Sequence, residues 1–384
     1  MPGRSVHALG GLLWAGAVLG AGCGQGDLRG PQTVRTIVYD AGGGEFILAD
    51  RRYDTLADLT TLRGDTTEFR TAARLVLDAR STAAQEGCER FAQEFVEDAG
   101  RRPSLTFIED GGAWVPEDFD ALVMASTYYN FELARELFLS AGVEGRLLSG
   151  TTTFYEPRFI EYDPGGRRTF GADNAAFVPC ITSFLVFAGE RLQDIPLGAN
   201  PGVAAHEYGH MVFDRVLFGE KGDAAAAPLD LSEEAVLLAA LDEGMADFFG
   251  ALTLGDPNFA ARSLTRNASR VRDLKPGTAW SQELEDAALA SADPHALGTA
   301  WGSFFWEVAE DTAVGGVGGV ALALRALTLL RPETADFGTD RMLEAVARAA
   351  AEVDDAQATL RAVCASASSR FRALGPPPTD CARP

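Results

Sequence analysis

The chain has 384 residues, 47% of them hydrophobic, and a formal net charge of −22. That length and apolar content allow a sizeable core, while an acidic surplus without a basic patch argues against nucleic acid or an anionic bilayer face as a partner. Beyond the N-terminus no apolar stretch has the length of a membrane span.

In chain order, Arg4 precedes the apolar run ALGGLLWAGAVLGAG, which is too short for a transmembrane helix, so residues 1–23 predict an export signal. The segment LGAGCGQGD resembles a bacterial lipoprotein signal. That resemblance implies a lipid on Cys23, an envelope location, and membrane contact only through this anchor; cleavage nearby without lipid, or a retained anchor, are the alternatives. Residues 24–31 read as a flexible tether. In residues 32–110, TVRTIVYDAGGGEFILADRRYD predicts a hairpin broken at AGGG, and residues 66–100 read as helical. This region is part of a sheet lobe or a reduced propeptide, the former being preferred. Residues 111–220 read as one N-terminal lobe: a helix from Phe119 to Gly142 with Tyr128 and Tyr129 as core, strands over Thr151–Phe187, then the HEYGH helix.

Only four histidines occur, and His206, His210 and His295 are those beyond the signal. HEYGH sets His206 and His210 four apart on one helical face, where two imidazoles can grip one ion, with Glu207 one step round beside the open metal position. Asn200 as N-cap, Pro201 in the first turn and Gly219 at the end bound this helix. The segment FGEKGDAAAAPLD that follows reads as a surface loop.

A catalytic zinc site needs a third protein ligand and a position kept for water. The next helix, SEEAVLLAALDEGMADFFGALTLG, is bounded by Ser232 as N-cap and by Gly255 with Pro257. Glu243 and Asp247 share its apolar face with Val236 and Ala240. Glu243 is the candidate third ligand for one Zn2+ per chain, and Asp247 the acceptor for an N–H of a zinc-bound imidazole. Gly244 is expected to let this helix approach the HEYGH helix. A merely solvated acidic face is the competing reading.

HEYGH, DEGMADFFG and DPHALGTAWGSFFWEV, in that order, resemble the gluzincin metallopeptidases of the thermolysin and fungalysin kind, over roughly residues 120–310. The resemblance implies zinc held by His206, His210 and Glu243, Glu207 as general base, and His295 as the histidine that stabilises the transition state. DNAAFVPCITSFLVF is similar to the family's edge strand, which implies substrate-backbone contacts at Asn174 and Ala175. The sequence departs from the family twice. No tyrosine lies between His210 and Glu243, where the thermolysin branch has one, and the carboxylate orienting His295 is open among Asp293, Asp286 and Glu285. Near a helix start, which disfavours an imidazolium, His295 is expected to donate as a neutral imidazole of the right tautomer.

Residues 221–384 read as a helical lobe, with GGVGG at Gly315–Gly319 as a turn and RMLEAVARAAAEVDDAQATLRAVCASASSRF as one or two amphipathic helices. The expected architecture is α+β and two-lobed, thermolysin-like, with a sheet-containing N-terminal lobe, a helical C-terminal lobe and zinc in the cleft between. Besides Cys23 four cysteines remain, an even number in keeping with an oxidising compartment; three pairings are possible, and the hypothesis is that the nearest in sequence join, Cys364 with Cys381 and Cys88 with Cys180. The expected function is a zinc endopeptidase, envelope-bound or secreted, acting on peptide bonds of extracellular or envelope proteins. A metal-dependent aminopeptidase shares HExxH and a distal Glu, but a GxMEN-like element is missing. A non-catalytic binding protein would have no need of Glu207.

Overall fold

A computed structural model of the chain describes residues 28–170, 174–188, 194–219, 232–264, 272–275, 277–330, 337–353, 355–375 and 378–382. The export signal, Cys23 and most of the FGEKGDAAAAPLD loop lie outside the described residues. The N-terminal half is sheet-rich and the C-terminal half helical, the α+β arrangement expected.

β1 (Gln32–Asp40) buries Val34, Thr36 and Val38 on one face, turns through AGGG and returns as β2 (Glu45–Tyr53), with Asp40 opposite Glu45. Gly44, in the left-handed region, closes this predicted hairpin. β3 (Leu56–Asp58), β4 (Arg63–Gly64), β5 (Glu68–Thr71) and β6 (Arg74–Asp78) follow. Two short helices, α1 (Ala83–Glu86) and α2 (Cys88–Phe95), lead to β7 (Val96–Asp98) and the hairpin of β8 (Phe107–Asp110) with β9 (Ala113–Pro116). The helical expectation for residues 66–100 is thus corrected, since only α1 and α2 are helical there. Phe69 and Leu75 are buried through parallel pairing of β5 with β10 (Thr152–Tyr155) and β6 with β11 (Arg158–Tyr162), partners too far along the chain for a local window to contain.

β12 (Arg168–Phe170), β13 (Ala175–Val178) and β14 (Ser183–Val186) complete three sheets, ordered β2-β1-β9-β8, β13-β14-β10-β5-β4-β3 and β12-β11-β6-β7. β13 is therefore an edge strand. α3 (Phe119–Ser140) starts where Asp118 accepts the Ala121 N–H. On it Tyr128 is buried with its hydroxyl at Thr55, and Tyr129 packs on Tyr53, both structural as expected.

α4 (Pro201–Phe218) carries HEYGH and is capped as predicted, the Asn200 side chain accepting from Gly202 N–H and Val203 N–H. α5 (Glu233–Leu254) starts at Ser232 and stops at the left-handed Gly255. α6 (Gln282–Ser291), α7 (His295–Glu310), α8 (Gly315–Leu330), α9 (Thr339–Ala350) and α10 (Ala356–Arg370) follow. α4 meets α5 at Gly209, where a Cβ would come 2.8 Å from Phe249, and at Gly202 against Gly250. Gly244 has a different partner from the one expected. A Cβ there would collide with Gly298 and Trp301, so Gly244 brings α7, not α4, onto α5.

GGVGG is likewise helix rather than turn. Only Gly315 is left-handed, and α8 continues through Gly319, where a Cβ would meet Ala309 at 2.9 Å and Phe248 at 3.1 Å. Close packing there outweighs a helix penalty of about 1 kcal/mol per glycine. The final segment resolves into α9 and α10. Disulfides join Cys88 to Cys180 and Cys364 to Cys381, the pairing expected and one that suits an exported protein.

Candidate metal centre

The capped start of α4 and its contact with α5 aim His206, His210 and Glu243 at one point, each offering a ligand atom within 4.8 Å of the others. His206 Nε2 lies 3.1 Å from His210 Nε2, and the Glu243 carboxylate lies 3.6 Å from the first and 3.8 Å from the second. Adjacent ligands of a tetrahedral ion bound at ~2.0–2.2 Å stand about 3.3–3.6 Å apart, a range that the three separations bracket to within about 0.2 Å. Tautomers point the same way. Asp247 Oδ1 is 2.9 Å from His206 Nδ1 and Asp242 Oδ1 is 2.9 Å from His210 Nδ1. Neither contact is aligned for a full hydrogen bond, yet each carboxylate favours the ring proton on Nδ1. Both Nε2 lone pairs then face each other, an arrangement that a shared proton or a cation relieves.

Burial and the neighbouring His210 hold His206 well below the usual imidazole range, which suits a neutral ligand. Burial also pulls His210 down, but Asp242 and Glu243 outweigh it, and without a metal the ring sits up at about 10. Glu243 is opposed by burial yet held below the ordinary carboxylate range by His210, His206, His295 and Arg272. Glu207 is buried beside this group and pushed up to about 7, chiefly by desolvation. Its Oε2 accepts the Phe177 N–H of edge strand β13 at 2.9 Å.

The Phe187 N–H donates to the Asn174 carbonyl at 3.1 Å. With that register the ladder bonds alternate, so the backbone groups of Ala175 and Phe177 point away from β14. Asn174 and Ala175 both line a cleft of about 1070 Å³ whose walls are β13, α4, α5 and the start of α7, with Arg272 and Phe259.

His295 is the first residue of α7, with Nε2 3.4 Å from Glu243 Oε1 and Nδ1 2.6 Å from Asp293 Oδ1. The partner of His295 is therefore Asp293, and the backbone N–H of His295 donates to the same oxygen.

No protein-family model matches the sequence, and comparison with curated proteins finds no match. Among solved structures, the precursor of protealysin, a metalloproteinase from Serratia proteamaculans, is similar at a TM-score of 0.45 and 15% sequence identity, over 79% of this chain and 90% of that one.

Three site groups escaped the sequence reading. Asp242 precedes Glu243 and could have been found from the need of His210 for its own acceptor. Arg272 gave no local signal. It stands outside any helix or strand, with Nη1 3.1 Å from Glu243 Oε2 and Nη2 3.0 Å from Asp247 Oδ1, the one guanidinium among the described residues against both carboxylates. Asp214, one turn beyond His210, also faces the cleft. No tyrosine lines the cleft among the described residues.

Proposed function

We propose that the protein is a zinc-dependent endopeptidase that cleaves extracellular or envelope proteins. The observation that carries this reading is the convergence of His206, His210 and Glu243 on one point, with the buried Glu207 beside them and an open strand edge along the same cleft. Bound there, zinc would polarise the scissile carbonyl and lower the pKa of a water.

The remaining work falls to the chain itself. An extended peptide adds to β13 through the outward N–H and C=O of Ala175, with Asn174 at the strand's start as a further donor. Glu207 takes the proton of the attacking water and passes it to the leaving amine, a role served by a carboxyl whose pKa burial has raised toward neutrality. His295 donates from Nε2 to the developing oxyanion, an interaction worth about 2.7–4 kcal/mol in comparable sites. Asp293, 2.6 Å from Nδ1, and Glu243, 3.4 Å from Nε2, hold the ring in position for that donation. Asp247, Asp242 and Arg272 orient the ligands.

An exported location belongs to the same proposal and is supported by the two disulfides, with lipid on Cys23 as the proposed anchor. The test is the zinc content of purified wild type and Glu243→Ala, with cleavage of an unstructured protein followed by end-group analysis. About one zinc per chain, lost with cleavage in the variant, and internal new termini are expected. Wild type purified without zinc, or termini confined to chain ends, would overturn the reading.

A further inference from the structure

The charges in the cleft are unevenly matched. Toward α7, Arg272 answers Glu243 and Asp247, and His295 answers Asp293. At the other end, beyond His210, Asp214 lies on the same face of α4 and only 7% of it is exposed. Its Oδ1 is buried without a hydrogen-bond partner among the described residues. The described cation that bears on it, Arg215, is committed elsewhere: its Nη1 donates to the carbonyls of Leu147 and Ser149 at 2.9 and 2.8 Å. Asp242, the next carboxylate, adds repulsion, and burial together with it drives the Asp214 carboxyl up to about 7. An isolated buried carboxylate is costly unless something pairs with it. The same part of the cleft wall presents Phe213, Phe218, Val236 and Ala239, apolar surface of the kind that accepts an aliphatic stem below a charged head.

We propose that Asp214, with Asp242 behind it, forms a subsite for a cationic group of the peptide, the ammonium or guanidinium of a lysine or arginine side chain. This rests on the peptidase reading for the identity of the ligand as a peptide. The occupant brings the positive charge that the described residues do not supply at this end of the cleft, and its stem covers the apolar wall. The site therefore selects peptides with a basic residue at one fixed position relative to the cut bond.

The test uses the zinc-loaded full chain and uncleavable reduced-amide peptides that differ at a single position, walked along the sequence, carrying lysine, arginine, norleucine or glutamate, each with free or acetylated N-terminus. Binding is measured by calorimetry, and the ordinary amide peptides are assayed for cleavage. At one position lysine and arginine are expected to bind about 10- to 100-fold tighter than norleucine, the value of one hydrogen bond to a charged group, with glutamate weakest. Asp214→Asn is expected to reduce that preference to about threefold or less, while norleucine peptides bind as before. Equal binding of lysine and norleucine at every position overturns the subsite, as does a preference that survives Asp214→Asn. A preference that follows the free α-amino group supports a cation site but makes its ligand a chain terminus. Cleavage without cation preference refutes the subsite alone, whereas cation preference without any cleavage supports it and refutes the peptidase reading.

Discussion

The two ends of the cleft handle buried charge in opposite ways. Around His206 three of the carboxylates have a polar partner: Arg272 spans Glu243 and Asp247, and the imidazoles of His206 and His210 stand against Asp247 and Asp242. Around Asp214 the described residues supply no such partner, and burial holds the carboxyl up at about 7. The contrast separates two uses of polar burial. The balanced end is a preformed cradle whose net charge suits a dication, while the unbalanced end stores an electrostatic cost that a ligand can remove.

The largest expected effect comes from the group that balances nothing. Glu207 is not needed to hold the ion, so Glu207→Gln should retain zinc while kcat/KM falls by about 10²- to 10⁴-fold. Retention of more than about a tenth of the activity would transfer the base to another residue. Next, Arg272→Met leaves Glu243 and Asp247 buried without their cation. It should cost about 3–5 kcal/mol of stability in the metal-free protein, measured by urea unfolding, and less with zinc bound, because the ion takes over part of the balancing. An unchanged unfolding midpoint would mean that the cluster is wetter and less demanding than its geometry indicates.

His295→Gln is predicted to sit slightly lower, about 10²- to 10³-fold in kcat/KM. Its side chain is 55% exposed, so stability and zinc content should hardly move. A large drop in either would make the residue part of the cradle instead.

How much of this was legible in the sequence follows from the range of the interactions. α4 and α5 announce themselves locally, through Asn200, Pro201 and Gly219 and through Ser232 and Gly255, and the HEYGH spacing needs only helix geometry to converge. The strands of residues 66–100 were misread because Phe69 and Leu75 pair with β10 and β11, and pairing of that range leaves no periodic trace. Gly244 and the GGVGG segment were visible as small residues, but whether a glycine makes a turn or a close contact depends on the helix that arrives opposite, here α7 and, for Gly319, Ala309 and Phe248. Asp293 could be placed only once α7 began at His295. Arg272 sits in irregular chain, where no pattern distinguishes it from other arginines.

The smallest expected effect is the most direct probe of the unbalanced end. In the folded protein the Asp214 carboxyl is raised from 3.8 to about 7, so the fold favours its protonated form. The sign follows from linkage: the stability it contributes is complete below about pH 4 and is lost as the pH climbs through about 7. Asp214→Asn, a neutral near-isostere, should match wild type at pH 4 and exceed it at pH 8 by on the order of 2 kcal/mol, allowing for screening by water and salt in the cleft. Urea unfolding at the two pH values measures this, and a difference between the proteins that does not change with pH would mean Asp214 already has a partner in solution. Adding a lysine peptide at pH 8 then sharpens the contrast. A cation that pairs with Asp214 should stabilise wild type more than the variant and close the gap, because it supplies to this end of the cleft what Arg272 supplies to the other.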